Sequence, residues 1–129
     1  MADPFRRLHA RYPCDVPVTI LSFLGNARLA EGRLVNLGVG GALLDCARPL
    51  EKKVPYLLRF PANISSLSLP GRVVWIAPRN PQNPQFHRYG VQFNLTSSQE
   101  RILRALVERL RRALEQPEQP DFLRDYWNH

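Results

Sequence analysis

At 129 residues with 44% hydrophobic side chains, the chain has the size of one domain and enough apolar surface to fold, which excludes wholesale disorder. It contains no run of ~18 apolar residues and its first residues lack the apolar stretch of a secretory signal, so no membrane insertion is expected and the expected location is the cytosol. The net charge of +7, from 18 basic and 11 acidic residues, favours an anionic partner: nucleic acid, a phosphorylated small molecule or an acidic protein surface. Apart from Lys52 and Lys53 the basic residues are all arginine, whose planar fork holds phosphate or guanine bidentately and stacks on rings.

Residues 1–13 are basic and carry Pro4 and Pro13, which read as a flexible extended arm rather than a helix. Residues 16–23 (VPVTILSF) are β-branched and apolar and predict a strand. Gly25-Asn26 signals a turn, and residues 28–35 (RLAEGRLV) alternate as the second strand of a hairpin. Residues 36–41 (NLGVGG) hold three glycines in six positions, which marks a loop with unusual dihedral angles or close backbone contact. Further strands are predicted over residues 42–46, 54–60 and 88–95. A long β segment over residues 64–77 is interrupted at Pro70-Gly71, where a bulge or an edge is expected.

The apolar period then changes to that of a helix, with Ile102, Leu103, Leu106, Val107, Leu110 and Leu114 on one face as core. Thr96 or Ser97, followed by Gln99 and Glu100, supplies a capping-box start, and the helix should end before Pro117. Its opposite face carries Arg101, Arg104, Arg111 and Arg112, read as a solvated charged face. Short strands without βαβ alternation predict a mainly β fold: a six- to seven-stranded antiparallel barrel with one C-terminal α-helix. The division expected is an arm over 1–13, a barrel over 14–95, a helix over 96–116 and a tail over 117–129 that contains Phe122, Tyr126 and Trp127.

His9, His87 and His129 are scattered, so no metal site is expected, and no paired carboxylates, nucleophile elbow or phosphate-binding loop points to an enzyme. Cys14 and Cys46 are expected to remain reduced.

Two motifs carry the functional reading. Arg7 and Arg11 form RxxxR just before the first strand, and Asn36, Gly38 and Gly41 stand at the positions of [D/N]xSxxG, with glycine in the serine position. Pro70-Gly71-Arg72-Val73-Val74-Trp75 and Tyr89-Gly90-Val91-Gln92-Phe93 follow in order. Over residues 6–115 this pattern resembles the PilZ domain, a bacterial receptor for the second messenger cyclic di-GMP. The resemblance implies that Arg7 and Arg11 clamp the ligand, that Asn36 meets a guanine edge, and that Gly41 allows close backbone approach. The chemistry agrees: the ligand offers two phosphodiesters and two guanines, and arginine binds both groups. Arg6, Gly40 and Trp75 are secondary candidates. Trp75 points opposite Val74 and Ile76, so it stacks on a guanine if that pair faces the core, and otherwise packs as an ordinary side chain.

Glycine at position 38 lacks the family's hydroxyl, which is expected to cost ~1 kcal/mol of binding, so that Gly38→Ser should tighten it. The function implied is that of a non-enzymatic cyclic di-GMP receptor or adaptor that changes conformation on binding and signals to a downstream protein partner. The alternative is a PilZ-fold interaction module with weak or lost nucleotide binding. A nucleic-acid role is not expected, because aromatic and basic residues do not interleave.

Overall fold

In the computed structural model, residues 10–24 and 27–115 are described. Six strands and one helix follow one another: β1 (Arg11–Ser22), β2 (Arg28–Gly38), β3 (Gly41–Cys46), β4 (Pro55–Arg59), β5 (Ser68–Ala77), β6 (His87–Phe93) and α1 (Ser97–Glu115). The strands close into an antiparallel barrel in the order β1-β2-β3-β6-β5-β4. Closure removes the free sheet edges that a small β protein must otherwise shield.

Alternating apolar residues fill the interior. Val16, Val18, Ile20, Leu34, Leu37, Ala42, Leu44, Leu58, Leu69, Val73 and Val91 are buried, and Leu103, Leu106, Val107, Leu110 and Ala113 of α1 join the same cluster. The helix therefore extends the barrel's core through a stripe at 3.6-residue spacing. Ile102 departs from the expected stripe: it is 49% exposed, because the helix rests on β1 and β2 on the side that Leu103 and Leu106 face. The charged side is laced by ion pairs, Arg104 with Glu100, Arg111 with Glu108 and Glu115, and Arg112 with Glu108.

Thr96 starts the helix through a reciprocal capping box. Its N–H donates to Gln99 Oε1 at 2.9 Å, and Gln99 N–H donates back to Thr96 Oγ1 at 3.2 Å. Two buried tyrosines secure the link between β3 and β4: Leu50 N–H donates to Tyr89 Oη and Glu51 N–H to Tyr56 Oη, each at 2.9 Å.

Several boundaries differ from the sequence expectation, each for a physical reason. β1 begins at Arg11, inside the expected arm, because Arg11, Tyr12 and Pro13 pair with Gly38, Leu37 and Asn36. The expected glycine loop at 36–41 is mostly strand: β2 runs to Gly38, β3 starts at Gly41, and only Val39 and Gly40 turn. Pro70 and Gly71 lie within β5. Pro70 pairs with Leu57 of β4, and on the β6 side its carbonyl accepts from the Asn94 N–H at 3.0 Å just past the end of β6, so the missing N–H falls at the last rung of that ladder. The irregularity instead falls between Val73 and Trp75. Cys14 and Cys46 are free and buried. Burial, helped by Asp15, pushes the Cys14 thiol up to about 12, so it stays protonated, with its S–H directed to Leu34 O at 3.4 Å.

Replacing Thr96 by Ala is expected to lower stability by ~1 kcal/mol in chemical denaturation, the usual worth of an N-cap side chain. An unchanged midpoint would show that packing alone holds the helix start.

Candidate functional site

Strand register brings the two sequence motifs together on the outside of the barrel. Arg11 pairs with Gly38, Gly41 pairs with Gln92, and Gln92 pairs with Arg72. Because Leu37 pairs with Ala42, Gly38 and Gly41 face one another across the short turn. These residues make one row across β1, β2, β3, β6 and β5. Two positions away along the strands, Pro13, Asn36, Leu43, Gly90 and Trp75 make a second row. Between the rows, Leu37, Ala42, Val91 and Val73 point inward and are buried, so both rows face outward.

Three glycines form the floor. A Cβ on Gly38 would overlap the Ala10 carbonyl oxygen and stand 3.0 Å from Arg11 Cγ. A Cβ on Gly41 would overlap the Val91 carbonyl oxygen and stand 2.9 Å from Arg11 Nη2. Arg11 therefore runs along the row, over Gly38, with its guanidinium above Gly41. The glycines serve close approach and not unusual dihedral angles: among the described residues no glycine has positive φ. Gly90 plays the same part in the second row, since a Cβ there would stand 3.1 Å from Trp75 Cε3. The Trp75 indole rests on bare backbone at that point.

Trp75 is 42% exposed, yet so are its neighbours, Val74 at 52% and Ile76 at 61%. The condition that placed Val74 and Ile76 in the core fails, because the bulge between Val73 and Trp75 breaks the alternation. Trp75 reaches the outer face by way of the bulge.

Asn36 has a structural duty that the motif alone conceals. Its Oδ1 accepts a 2.9 Å hydrogen bond from the N–H of Leu43, next to the register shift between Leu34 and Asn36. The side chain thus completes the ladder where the bulge opens it, and it fixes the orientation of the amide. The Nδ2 group is left as the donor of this side chain. Asn and Asp share the required oxygen, which explains why either type suits the position.

A band of paired charge borders the two rows. Arg88 meets Asp45 bidentately, Nε to Oδ1 at 2.6 Å and Nη2 to Oδ2 at 2.8 Å, and Arg33 reaches Asp15 at 2.7 Å. The Asp45 carboxylate strengthens the hold of Arg88 on its proton. Carboxylates neutralise these two arginines.

Of the sequence candidates, Arg11, Asn36, Gly38, Gly40, Gly41 and Trp75 fall on or beside this face. Arg6 and Arg7 lie outside the described residues. Sequence reasoning missed Gly90 as the seat of Trp75 and did not connect Gln92 and Arg72 with Arg11. Their signal lies in strand register, which spacing along the chain does not reveal.

The model of the PilZ domain family matches residues 5–109. The chain belongs to the PilZ domain family. Solved PilZ structures share its fold. The PilZ domain of YcgR from Escherichia coli, solved with c-di-GMP, superposes with a TM-score of 0.64 at 19% identity, covering 88% of this chain and 99% of that one. The complex of Klebsiella pneumoniae MrkH with c-di-GMP gives 0.63 at 13% identity over 85% of this chain, which corresponds to 52% of MrkH. The Bacillus subtilis inhibitor of motility, MotI, gives 0.59 at 16% identity, covering 90% of this chain and 58% of that one. Comparison with curated proteins gives no match.

The geometry reverses one expectation. Gly38→Ser places a side chain where Ala10 and Arg11 already lie, so it should loosen Arg11 and not improve the site. Faster amide exchange at Arg11 and Tyr12 in that variant is the expected result; unchanged protection would show that β1 adjusts without cost. Asn36→Ala should destabilise the fold by about 1 kcal/mol or more, since it orphans the Leu43 N–H, whereas Asn36→Asp should stay near wild type. Equal denaturation midpoints for the two variants would contradict the ladder role.

Proposed function

We propose that this PilZ domain is a receptor that binds cyclic di-GMP on the outer face built by the two rows, and that binding is passed to a partner protein through residues 1–13. The observation that carries the reading is the convergence of Arg11, Asn36 and Trp75 around a floor of Gly38, Gly41 and Gly90. A flat purine needs an unobstructed surface, a guanine edge needs a positioned hydrogen-bonding group, and a phosphodiester needs a guanidinium. The face offers one of each.

In this reading Arg11 swings or slides from its glycine bed to meet a phosphate or the Hoogsteen edge of guanine, and Arg7 supplies a second fork from the same arm. Arg6 adds a third cation. Asn36, with Oδ1 engaged by Leu43, presents Nδ2 to guanine O6 or N7. Trp75 offers its exposed indole face for stacking. Gly40 lies in the turn, and Gly38 and Gly41, in the row, allow the close approach of Arg11 from which it reaches the ligand. Residues that surround the ligand change their placement when it binds, and the altered surface is what a partner reads. The PilZ structures of YcgR and MrkH solved with c-di-GMP support the choice of ligand. No catalytic step enters the proposal, and the working location is the bacterial cytosol.

One observation favours a second reading. Glycine replaces serine at position 38, and the start of β1 occupies the vacated space. A PilZ fold that keeps Arg11 docked there permanently would act through protein contacts, with nucleotide binding weakened or lost.

Calorimetric titration with cyclic di-GMP separates the two. The receptor reading expects saturable binding by the intact protein and a loss of about a hundredfold or more in an Arg7→Ala/Arg11→Ala variant, since each charge-assisted hydrogen bond contributes ~1.5–3 kcal/mol. Absence of heat from the intact protein would leave the interaction module as the surviving account.

A further inference from the structure

The row that begins with Arg11 does not end at the glycines. It continues through Gln92 to Arg72, both exposed and both on the outward face. From Gly41, above which the Arg11 guanidinium sits, Arg72 is two strand steps away, about 10 Å. The intervening side chain, Gln92, is uncharged and carries both a donor and an acceptor. One row thus presents a cation at one end, bare backbone, a neutral amide, and a second cation.

Arg33 and Arg88 are each held by a carboxylate, Asp15 and Asp45. Arg72 and Arg59, on adjacent strands, make no ion pair among the described residues, but only Arg72 stands in register with the row. Its neighbours there are Gln92 and Pro55, neither of them acidic. A solvated arginine at a random surface position needs no explanation. An arginine in register with Arg11, on the strand that also carries Trp75, adds a cation to the opposite wall of the same face.

We infer that Arg72 is a specificity-determining residue of this face: it contacts the phosphodiester remote from Arg11, while Gln92 hydrogen-bonds the base or ribose between them. This rests on the cyclic di-GMP reading and deepens it. It makes the site two-walled, with a cation on β1 and one on β5, so the barrel itself selects a ligand that carries two phosphates across a ring. A mononucleotide bridges only one wall. The consequence is that removal of Arg72 should affect cyclic di-GMP far more than a ligand with a single phosphate, such as GMP.

Titration calorimetry on the full chain tests this with four proteins: wild type, Arg72→Ala, Gln92→Ala and Arg59→Ala. Arg59 is an exposed arginine on β4, paired with Thr19 and Ser68, away from the two rows. It controls for the loss of one positive charge. The expected result is cyclic di-GMP affinity weakened about tenfold or more in Arg72→Ala, weakened less in Gln92→Ala, and within about twofold of wild type in Arg59→Ala. Matching thermal midpoints for Arg72→Ala and wild type show that the loss is not one of folding. If wild type binds and Arg72→Ala binds as Arg59→Ala does, the inference fails and the receptor reading stands. If wild type does not bind, the receptor reading itself fails. Equal losses for GMP and cyclic di-GMP in Arg72→Ala would reduce its part to general attraction and overturn the two-walled site.

Discussion

Arg11 lies flat on the barrel only because positions 38 and 41 carry no side chains. A Cβ at either would collide with backbone oxygen, of Ala10 in one case and Val91 in the other, and would press on the arginine itself. The rest of the face follows from that constraint. With the glycines in place, β1 zips onto β2 as far as Arg11, the β2–β3 turn shrinks to two residues, and a cation comes to rest over bare peptide next to Asn36. The barrel's closure then sets Gln92 and Arg72 in line with it, and Gly90 repeats the device to seat Trp75. The interior works in the opposite sense: Leu37, Ala42, Val91 and Val73, one step along each strand, hold the strands to a packed core and leave the outer rows little freedom to shift register.

Most of the fold was legible in the sequence. Period-2 apolar runs marked the strands, the change to helical spacing after residue 96 marked α1, and Thr96 with Gln99 marked its start. What escaped were features that depend on partners distant in sequence. Residues 36–41 read as a loop because glycine density is a local signal, whereas their strand character comes from pairing with β1 and β3. Pro70 read as an interruption because proline breaks a central ladder; here it stands at the last rung on the β6 side, where only its carbonyl is used. Ile102 fits the apolar stripe, but the direction from which the barrel approaches leaves it outside.

The candidate site was legible in part. RxxxR and the Asn36–Gly38–Gly41 pattern named candidates, and register shows that Arg11 and the second motif meet, while Arg7 lies outside the described residues. The motif did not disclose that Asn36 also supports the sheet, nor that glycine at 38 makes room for β1. A missing hydroxyl looked like a simple loss of one contact. In the folded chain the same glycine allows a different contact, that of Arg11 with the barrel, so its effect on binding depends on what releasing Arg11 costs.

The central claim is that the two outward rows are the ligand-binding face. Amide and indole chemical shifts during titration with cyclic di-GMP test it most directly. The account predicts that the largest changes occur at Arg11, Asn36, Gly38, Gly41, Gly90 and Gln92 and at the Trp75 indole, with α1 and the β4 residues near Arg59 little affected. Changes concentrated on α1 or around Pro17, Glu31 and Arg59, with the glycine rows silent, would contradict it.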